Sequence, residues 1–175
     1  MTEKQEKILN AALTLFAEEG YRSTSTSKVA KSAGVSEGLI FRHFGNKEGL
    51  LEAIIKLGEE RAKELFADIV LEPDPKELLR KYIELFVLVS KDKDAIDFWK
   101  LQFKIKWELE IYGEHKMEAI EEALIQAFSR LRYNHPEQEA NLLLTLMDGL
   151  ATRFILQEQF EMEETIEFLK QKYKL

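Results

Sequence analysis

Cysteine is absent from all 175 residues, so no disulfide frame, thiolate nucleophile or thiolate metal site exists, and the reducing cytoplasm is the expected setting. Proline and glycine are scarce, at 3 and 8, and no repeat or low-complexity run interrupts the chain, so long helices are expected throughout. Long apolar runs are missing as well. The longest, Leu85 to Val89, falls far short of the ~20 residues a membrane helix needs, and the opening MTEKQEK is charged, unlike a signal peptide. The three histidines, His43, His115 and His135, lie far apart and in no HExxH or ExxH arrangement, which argues against a zinc protease or a di-iron bundle. No Ser, His and acid grouping and no glycine-rich phosphate loop is present, and most carboxylates fall on polar helix faces. Neither enzymatic activity, a metal nor a cofactor is expected.

What the chain does have is 45% hydrophobic residues, enough for a real core, and an uneven charge. The whole chain carries −7, yet residues 22 to 47 hold Arg22, Lys28, Lys31, Arg42 and Lys47 against Glu37 alone. That segment is also rich in Ser and Thr hydroxyls, which suits phosphate positioning by one end of an acidic molecule. A solvated helical pair explains the charge equally well, so the pattern of residues has to decide.

That pattern is TSTSKVAKSAGVSEGLIFRHFGNK, Thr24 to Lys47. Ser25 is a natural N-cap, and Val29, Ala30 and Ala33 give a small apolar face that lets a second helix approach. Gly34 can take the left-handed backbone that ends a helix, and Ser36 can accept from the free N–H groups of the next. From Glu37 to Phe44, Leu39 or Ile40 shares a buried side with Phe44 at helical spacing, leaving Arg42 and His43 outward. Two short helices at a tight corner are the construction of a helix-turn-helix, and an outward Arg on the second is placed for a phosphate or a guanine edge.

Residues 7 to 51 as a whole resemble the N-terminal domain of the TetR family of bacterial transcriptional regulators. The resemblance is carried by a leading helix with Ile8, Leu9, Ala12, Leu15 and Phe16, the Gly20-Tyr21 stop, Val29-Ala30, Ala33-Gly34-Val35-Ser36, Gly38, His43-Phe44 and Lys47-Glu48. It implies that the Thr24 and Ser25 hydroxyls and the Lys47 amine hold phosphates, while Ser27, Ser36, Glu37, Gly38, Phe41, Arg42 and His43 lie at or near duplex DNA. Phe41 stands where the family usually has Tyr, so a phosphate hydrogen bond from that ring is lost. Glu37 stands where Lys or a neutral residue is frequent, and either accepts from a cytosine amino group or favours the helix N-terminus through the dipole.

The remaining segments read as helices. Thr2 and Gln5 form a capping box before the Ile8–Phe16 stripe, and a long helix follows Lys47 until Pro73. Asp74-Pro75-Lys76-Glu77 starts another, through Leu78, Leu79, Tyr82, Ile83, Phe86 and Val89, which charged residues Lys91 to Asp94 break. LQFKIKWELEI, from Leu101 to Ile111, alternates like a strand. It also resolves into two stripes, Ile96, Trp99, Phe103, Trp107 and Phe98, Leu101, Ile105, Leu109, Tyr112, offset by roughly 200° on a helix. Lys104 with Glu108 and Lys106 with Glu110 fit i,i+4 pairing, and no partner strand is on offer, so a helix covered on both sides is expected. Beyond Gly113, Met117, Ile120, Leu124, Phe128 and Leu131 mark a helix closed by Asn134-His135-Pro136. Leu142, Leu143, Leu146, Met147, Leu150 and Phe154 mark a long, unusually apolar one, and Ile166 with Leu169 a short last one.

The expectation is an all-α protein of about nine helices. A three-helix DNA-binding head with a helix-turn-helix (residues 1–47) joins a larger helical effector-binding and dimerisation body (48–175). The aromatic-rich set Phe66, Phe86, Trp99, Phe103, Trp107, Phe128, Met147 and Phe154 is either core or the lining of a pocket for a small hydrophobic or aromatic effector. The resemblance favours the pocket, and it places Leu142, Leu143, Leu146, Leu150, Ile166 and Leu169 at a homodimer interface of the last two helices. Together these imply a homodimeric regulator, a repressor, on a pseudo-palindromic DNA operator. Its effector would shift the long fourth helix and so the separation of the heads. The rival reading is a helical ligand-binding or interaction protein that reads no DNA sequence.

Overall fold

The computed structural model describes residues 1–109, 118–157 and 159–175, with Lys106 described by its backbone alone. Among the described residues there are nine α-helices and no strand: α1 (Glu3–Glu19), α2 (Thr26–Ala33), α3 (Glu37–Phe44), α4 (Lys47–Val70), α5 (Pro75–Val89), α6 (Lys93–Glu108), α7 (Glu118–Arg130), α8 (Pro136–Leu156) and α9 (Met162–Tyr173). The all-helical expectation holds. Thr2 and Gln5 form the expected capping box, and the Asp74 carboxylate accepts from the Lys76 and Glu77 N–H groups, with Pro75 in the first turn. Asp92, inside the charged stretch that breaks α5, is itself the N-cap of α6, accepting from Asp94 and Ala95.

The alternating stretch is helix through Glu108. Leu101 and Ile105 are buried, but Trp107 is 71% exposed, which corrects the expectation of a helix covered on both sides along its length. Ile111, Tyr112, Gly113, His115, Met117 and the Lys106–Glu110 pair lie outside the described residues.

By their contacts the residues form two compact units, Met1–Ala62 with Asp92–Tyr112, and Lys63–Lys91 with Gly113–Leu175. This division differs from the 1–47 and 48–175 division read from the sequence. In the first unit Ile8, Leu9, Ala12, Leu13 and Phe16 of α1, Val29 and Ala30 of α2, Ile40 of α3 and Leu50, Leu51 and Ile54 of α4 close one core, and Leu101 and Ile105 of α6 complete it. Burying a Leu and an Ile side chain is worth about 1.5–3 kcal/mol each, so α6 is part of what holds the first three helices. Its polar side chains add to this. The buried Asp97 accepts from the Thr14 hydroxyl at 3.1 Å and pairs with Lys93 at 2.5 Å, and the Lys104 amine donates to the Glu18 carbonyl at 2.7 Å.

The second unit packs α5 against α7, α8 and α9, and α7 against α8. Its core includes Leu79, Ile83 and Phe86 of α5, Ile120, Leu124 and Phe128 of α7, Leu143 of α8 and Ile166 of α9. Phe128 meets Tyr133 and Tyr173 with ring centroids 5.0 and 5.5 Å apart, and Phe86 meets Phe154 edge-on at 5.6 Å.

Candidate nucleic-acid interface

The corner between α2 and α3 is built from few parts. The Ser25 hydroxyl accepts from the Lys28 N–H at 3.1 Å, opening α2, while Val29 and Ala30 bury its inner face. Gly34 closes α2 in the left-handed conformation (φ 67°, ψ 34°), and the Val35 N–H reaches back to the Ala30 carbonyl at 3.0 Å. Ser36 corrects the expectation of a side-chain cap. Its hydroxyl makes no capping bond, because the Leu39 N–H closes on the Ser36 carbonyl instead, at 3.0 Å, and the hydroxyl stays exposed. Of the two candidates for the buried position on α3 it is Ile40 that is fully buried, with Leu39 and Phe44 half-buried. The N-cap Ser36 and Gly38, Phe41 and Arg42 of α3 are thereby left exposed, as are Ser27 and Lys31 on α2.

The side chains expected at DNA differ in what they are free to do. Arg42 is exposed, and among the described residues no acid pairs with it. Lys28, by contrast, is paired with Glu19 at 2.5 Å, so the cationic segment presents less free charge than its composition implies. Thr24 requires a correction. Its side chain is buried and its hydroxyl donates to the Gly20 carbonyl at 2.9 Å, so it holds the turn after α1 instead of facing a phosphate. Phe41 is 46% exposed and carries no polar atom for a phosphate. His43 is half-buried, with Nδ1 3.5 Å from the Gln5 amide nitrogen. Gln5 Oε1 already accepts from the Thr2 N–H, which leaves the amide nitrogen facing the ring.

Lys47 lies over the Tyr21 ring, 4.4 Å from its centroid, and donates to the Arg22 carbonyl at 3.4 Å. Tyr21 in turn packs edge-on against Phe16. Burial, chiefly, and the charge of Glu48 push its hydroxyl up to about 12. Lys47 is thus pre-positioned at the turn, an attraction of about 0.5–1 kcal/mol at an exposed site.

Three contacts escape sequence reasoning because they join distant positions. The Thr26 hydroxyl donates to a Glu37 carboxylate oxygen at 2.6 Å, tying the first residue of α2 to the first residue of α3. The Glu108 carboxylate, from α6, accepts the Arg22 N–H at 3.0 Å and lies directly against Gly20, whose φ of 93° and lack of a Cβ leave room for it. Gln5 on His43 is the third. The capping box points to Gln5, but nothing local points to Thr26 or Glu108.

The proposed effector residues fall in different units. Trp99, Phe103 and Trp107 belong to the first, half-buried except for the exposed Trp107. Phe86, Phe128 and Met147 are core of the second, where Phe66 and Phe154 are half-buried. A hollow of about 350 Å3 at the start of α8 is lined by His135, Gln138, Glu139 and Leu142, none of them from the effector set. Of the expected interface leucines, Leu143 and Leu150, with Ile166 and Leu169, point into the core of their own unit. This corrects that assignment, since α8 is apolar on more than one side and periodicity cannot say which side is open. Leu142 is 45% exposed and Leu146 half-buried, and Phe168 on α9, absent from the expected set, is 65% exposed. Among the described residues no helix is long and apolar enough to cross a membrane, and no three His, Asp or Glu side chains group as metal ligands.

Residues 8–54 match the family described as bacterial regulatory proteins, tetR family. Among curated proteins, the uncharacterized HTH-type transcriptional regulator YerO of Bacillus subtilis (strain 168) is 36% identical over 87 residues, 47% of this chain and 30% of that protein. The HTH-type transcriptional regulator UidR of Escherichia coli (strain K12) is 42% identical over 62 residues, 35% of this chain and 32% of that one. The chain thus spans about a third of the length of the curated relatives it matches. Among solved structures, a transcriptional regulator (TerR/AcrR family) from Aquifex aeolicus VF5 superposes with a TM-score of 0.72 at 27% identity, covering 98% of both chains. AibR in complex with isovaleryl coenzyme A and operator DNA shares the fold, with a TM-score of 0.69 at 22% identity over 95% of this chain and 96% of that one.

Proposed function

We propose, on the premise that residues 8–54 form the head of the TetR family of bacterial regulatory proteins, that the chain is a homodimeric transcriptional repressor. It grips a pseudo-palindromic operator and leaves it when a small hydrophobic or aromatic effector binds the body. The observation that carries this reading is the outer face of α3. There Arg42 stands exposed beside Ser36 and Gly38, on a helix seated by the fully buried Ile40. An unpaired guanidinium on a short, rigidly seated helix suits bidentate contact with a guanine edge, while Lys47 and Ser25 at the flanks suit phosphates and fix register.

Two copies pair through the open side of α8 and α9, at Leu142, Leu146 and Phe168, and the two heads then meet half-sites one helical turn or a multiple apart. The effector enters the second unit beside the half-buried Phe66 and Phe154, where the Phe86–Phe154 ring pair offers an aromatic wall. AibR, of the same fold, binds both an acyl coenzyme A and operator DNA, which supports a two-ligand reading here. For release to follow, the effector must favour the non-binding state by a coupling energy of ~1–3 kcal/mol or more.

The rival, a helical ligand-binding protein that reads no DNA, draws on Phe41, which offers no phosphate hydrogen bond. A gel-shift assay with duplexes from the region upstream of the chain's own coding sequence, run over a series of salt concentrations, separates the two. Sequence-selective, salt-dependent retardation supports the regulator. Absence of retardation of every duplex, even at low salt, overturns it.

A further inference from the structure

Glu37 opens α3 as an acid on the helix that leaves Gly38, Phe41 and Arg42 exposed, and its carboxylate is not loose. The Thr26 hydroxyl donates to Glu37 Oε1 at 2.6 Å across the corner, so one oxygen is occupied and the side chain is held before any partner arrives. A free Glu side chain loses rotamer freedom when it is fixed on binding, and here the Thr26 hydrogen bond already restrains it. Gly38 follows with open space where a side chain would stand, and exposed Ser36 precedes, so the second carboxylate oxygen is not screened by its neighbours on α3.

An ionised carboxylate only accepts hydrogen bonds. In the major groove it meets acceptors on guanine (O6 and N7) and on thymine (O4), which repel it; adenine offers its N6 amino donor beside the N7 acceptor, and only cytosine offers a donor, the N4 amino group, with no acceptor on the same base edge. We propose that Glu37 is the specificity-determining residue for a C·G pair at one position of each half-site, and that Thr26 is its positioning residue. The inference rests on the DNA-reading assignment above and adds the identity of one base. Glu37 selects as much by rejecting G and T as by accepting from C, since a carboxylate opposed to another acceptor is left desolvated and unpaired.

The test is selection of binding sites from duplexes with randomised half-sites, by the full-length protein and by its Glu37→Gln, Thr26→Val and Thr26→Ser variants. Wild type should enrich one invariant cytosine column. Glu37→Gln should change that column alone, towards adenine, whose N6 and N7 match a carboxamide, with a swing in relative affinity of roughly tenfold or more. Thr26→Val, which keeps the shape and removes the donor, should blur the same column, and Thr26→Ser should restore it. A Glu37→Gln variant with an unchanged site overturns the inference and leaves the DNA-reading assignment standing. A blurred column for Thr26→Val that Thr26→Ser does not restore overturns the positioning role. No enriched site for wild type overturns the DNA-reading assignment itself, and this inference with it.

Discussion

Replacing Gly20 with Ala tests whether α6 reaches into the turn after α1. Gly20 has φ 93° and ψ 153°, a backbone region that L side chains rarely adopt, which alone costs about 1–3 kcal/mol. A Cβ at that position would also collide with the Glu108 carboxylate, which accepts the Arg22 N–H at 3.0 Å. Displacing the carboxylate loses a charge-assisted hydrogen bond that is worth ~1 kcal/mol at this exposed site. Gly20→Ala should therefore destabilise the chain by about 2–4 kcal/mol, a large part of the 5–15 kcal/mol typical of a folded domain. The assay is urea unfolding followed by circular dichroism for wild type, Gly20→Ala, Glu108→Ala and the double variant. With Glu108 already gone the new methyl finds space, so the double variant should be more stable than the two single changes predict by addition, by ~1 kcal/mol. Strict additivity, or a single-variant loss below ~0.5 kcal/mol, would refute the reasoning.

Arg42→Ala should weaken operator binding by roughly 1–3 kcal/mol and relax preference at one position, whereas Lys47→Ala should weaken binding to all sequences alike and flatten its salt dependence. Equilibrium titrations at several salt concentrations distinguish these, and two unaffected variants would remove both residues from the interface. Phe168→Glu and Leu142→Glu, on exposed positions, should yield folded monomers by light scattering, while Leu143→Glu, fully buried, should fail to fold; a folded dimer from Phe168→Glu would move the pairing surface elsewhere. Tyr21 and Tyr173 are each held up at about 12 from an ordinary 10, chiefly by burial, and burial raises Tyr82 as well. The folded state keeps these protons more tightly than the unfolded chain, so their stabilising contribution is intact below pH 10 and disappears as the pH climbs from 10 to 12. Tyrosinate absorbance recorded alongside circular dichroism checks this, and ionisation of all five tyrosines near pH 10 with the fold intact would contradict it.

Local signals were the legible ones. The caps at Thr2, Ser25 and Asp74, the left-handed Gly34 and the helical form of the alternating stretch through Glu108 all depend on residues within a few positions of one another, and each stands as read. Most of what sequence reasoning missed depends on side chains brought together from afar or on which of two apolar sides is open, while Thr24 and Ser36 differ because a nearby backbone carbonyl enters the hydrogen bond that was expected of the hydroxyl. Thr24 is spaced like a phosphate ligand, yet its hydroxyl finds Gly20 four residues back. Thr26 and Glu37 are eleven positions apart and become neighbours only once Gly34 has turned the chain. Leu101 and Ile105 looked like one side of a body helix, and their place in the core under α1 follows from a pairing some ninety residues apart in the chain. On α8 the apolar residues run round more than one side, so Leu143 and Leu150 could not be told from Leu142 by period alone.

Because Leu101, Ile105, Asp97, Lys104 and Glu108 complete the structure that presents α3, the proposed DNA-reading module is not a contiguous piece of sequence. A hybrid made by grafting residues 1–62 onto a different helical body would transplant an unfinished part. Residues 93–108 would have to travel with it, or the recipient's own sixth helix would have to offer equivalent side chains.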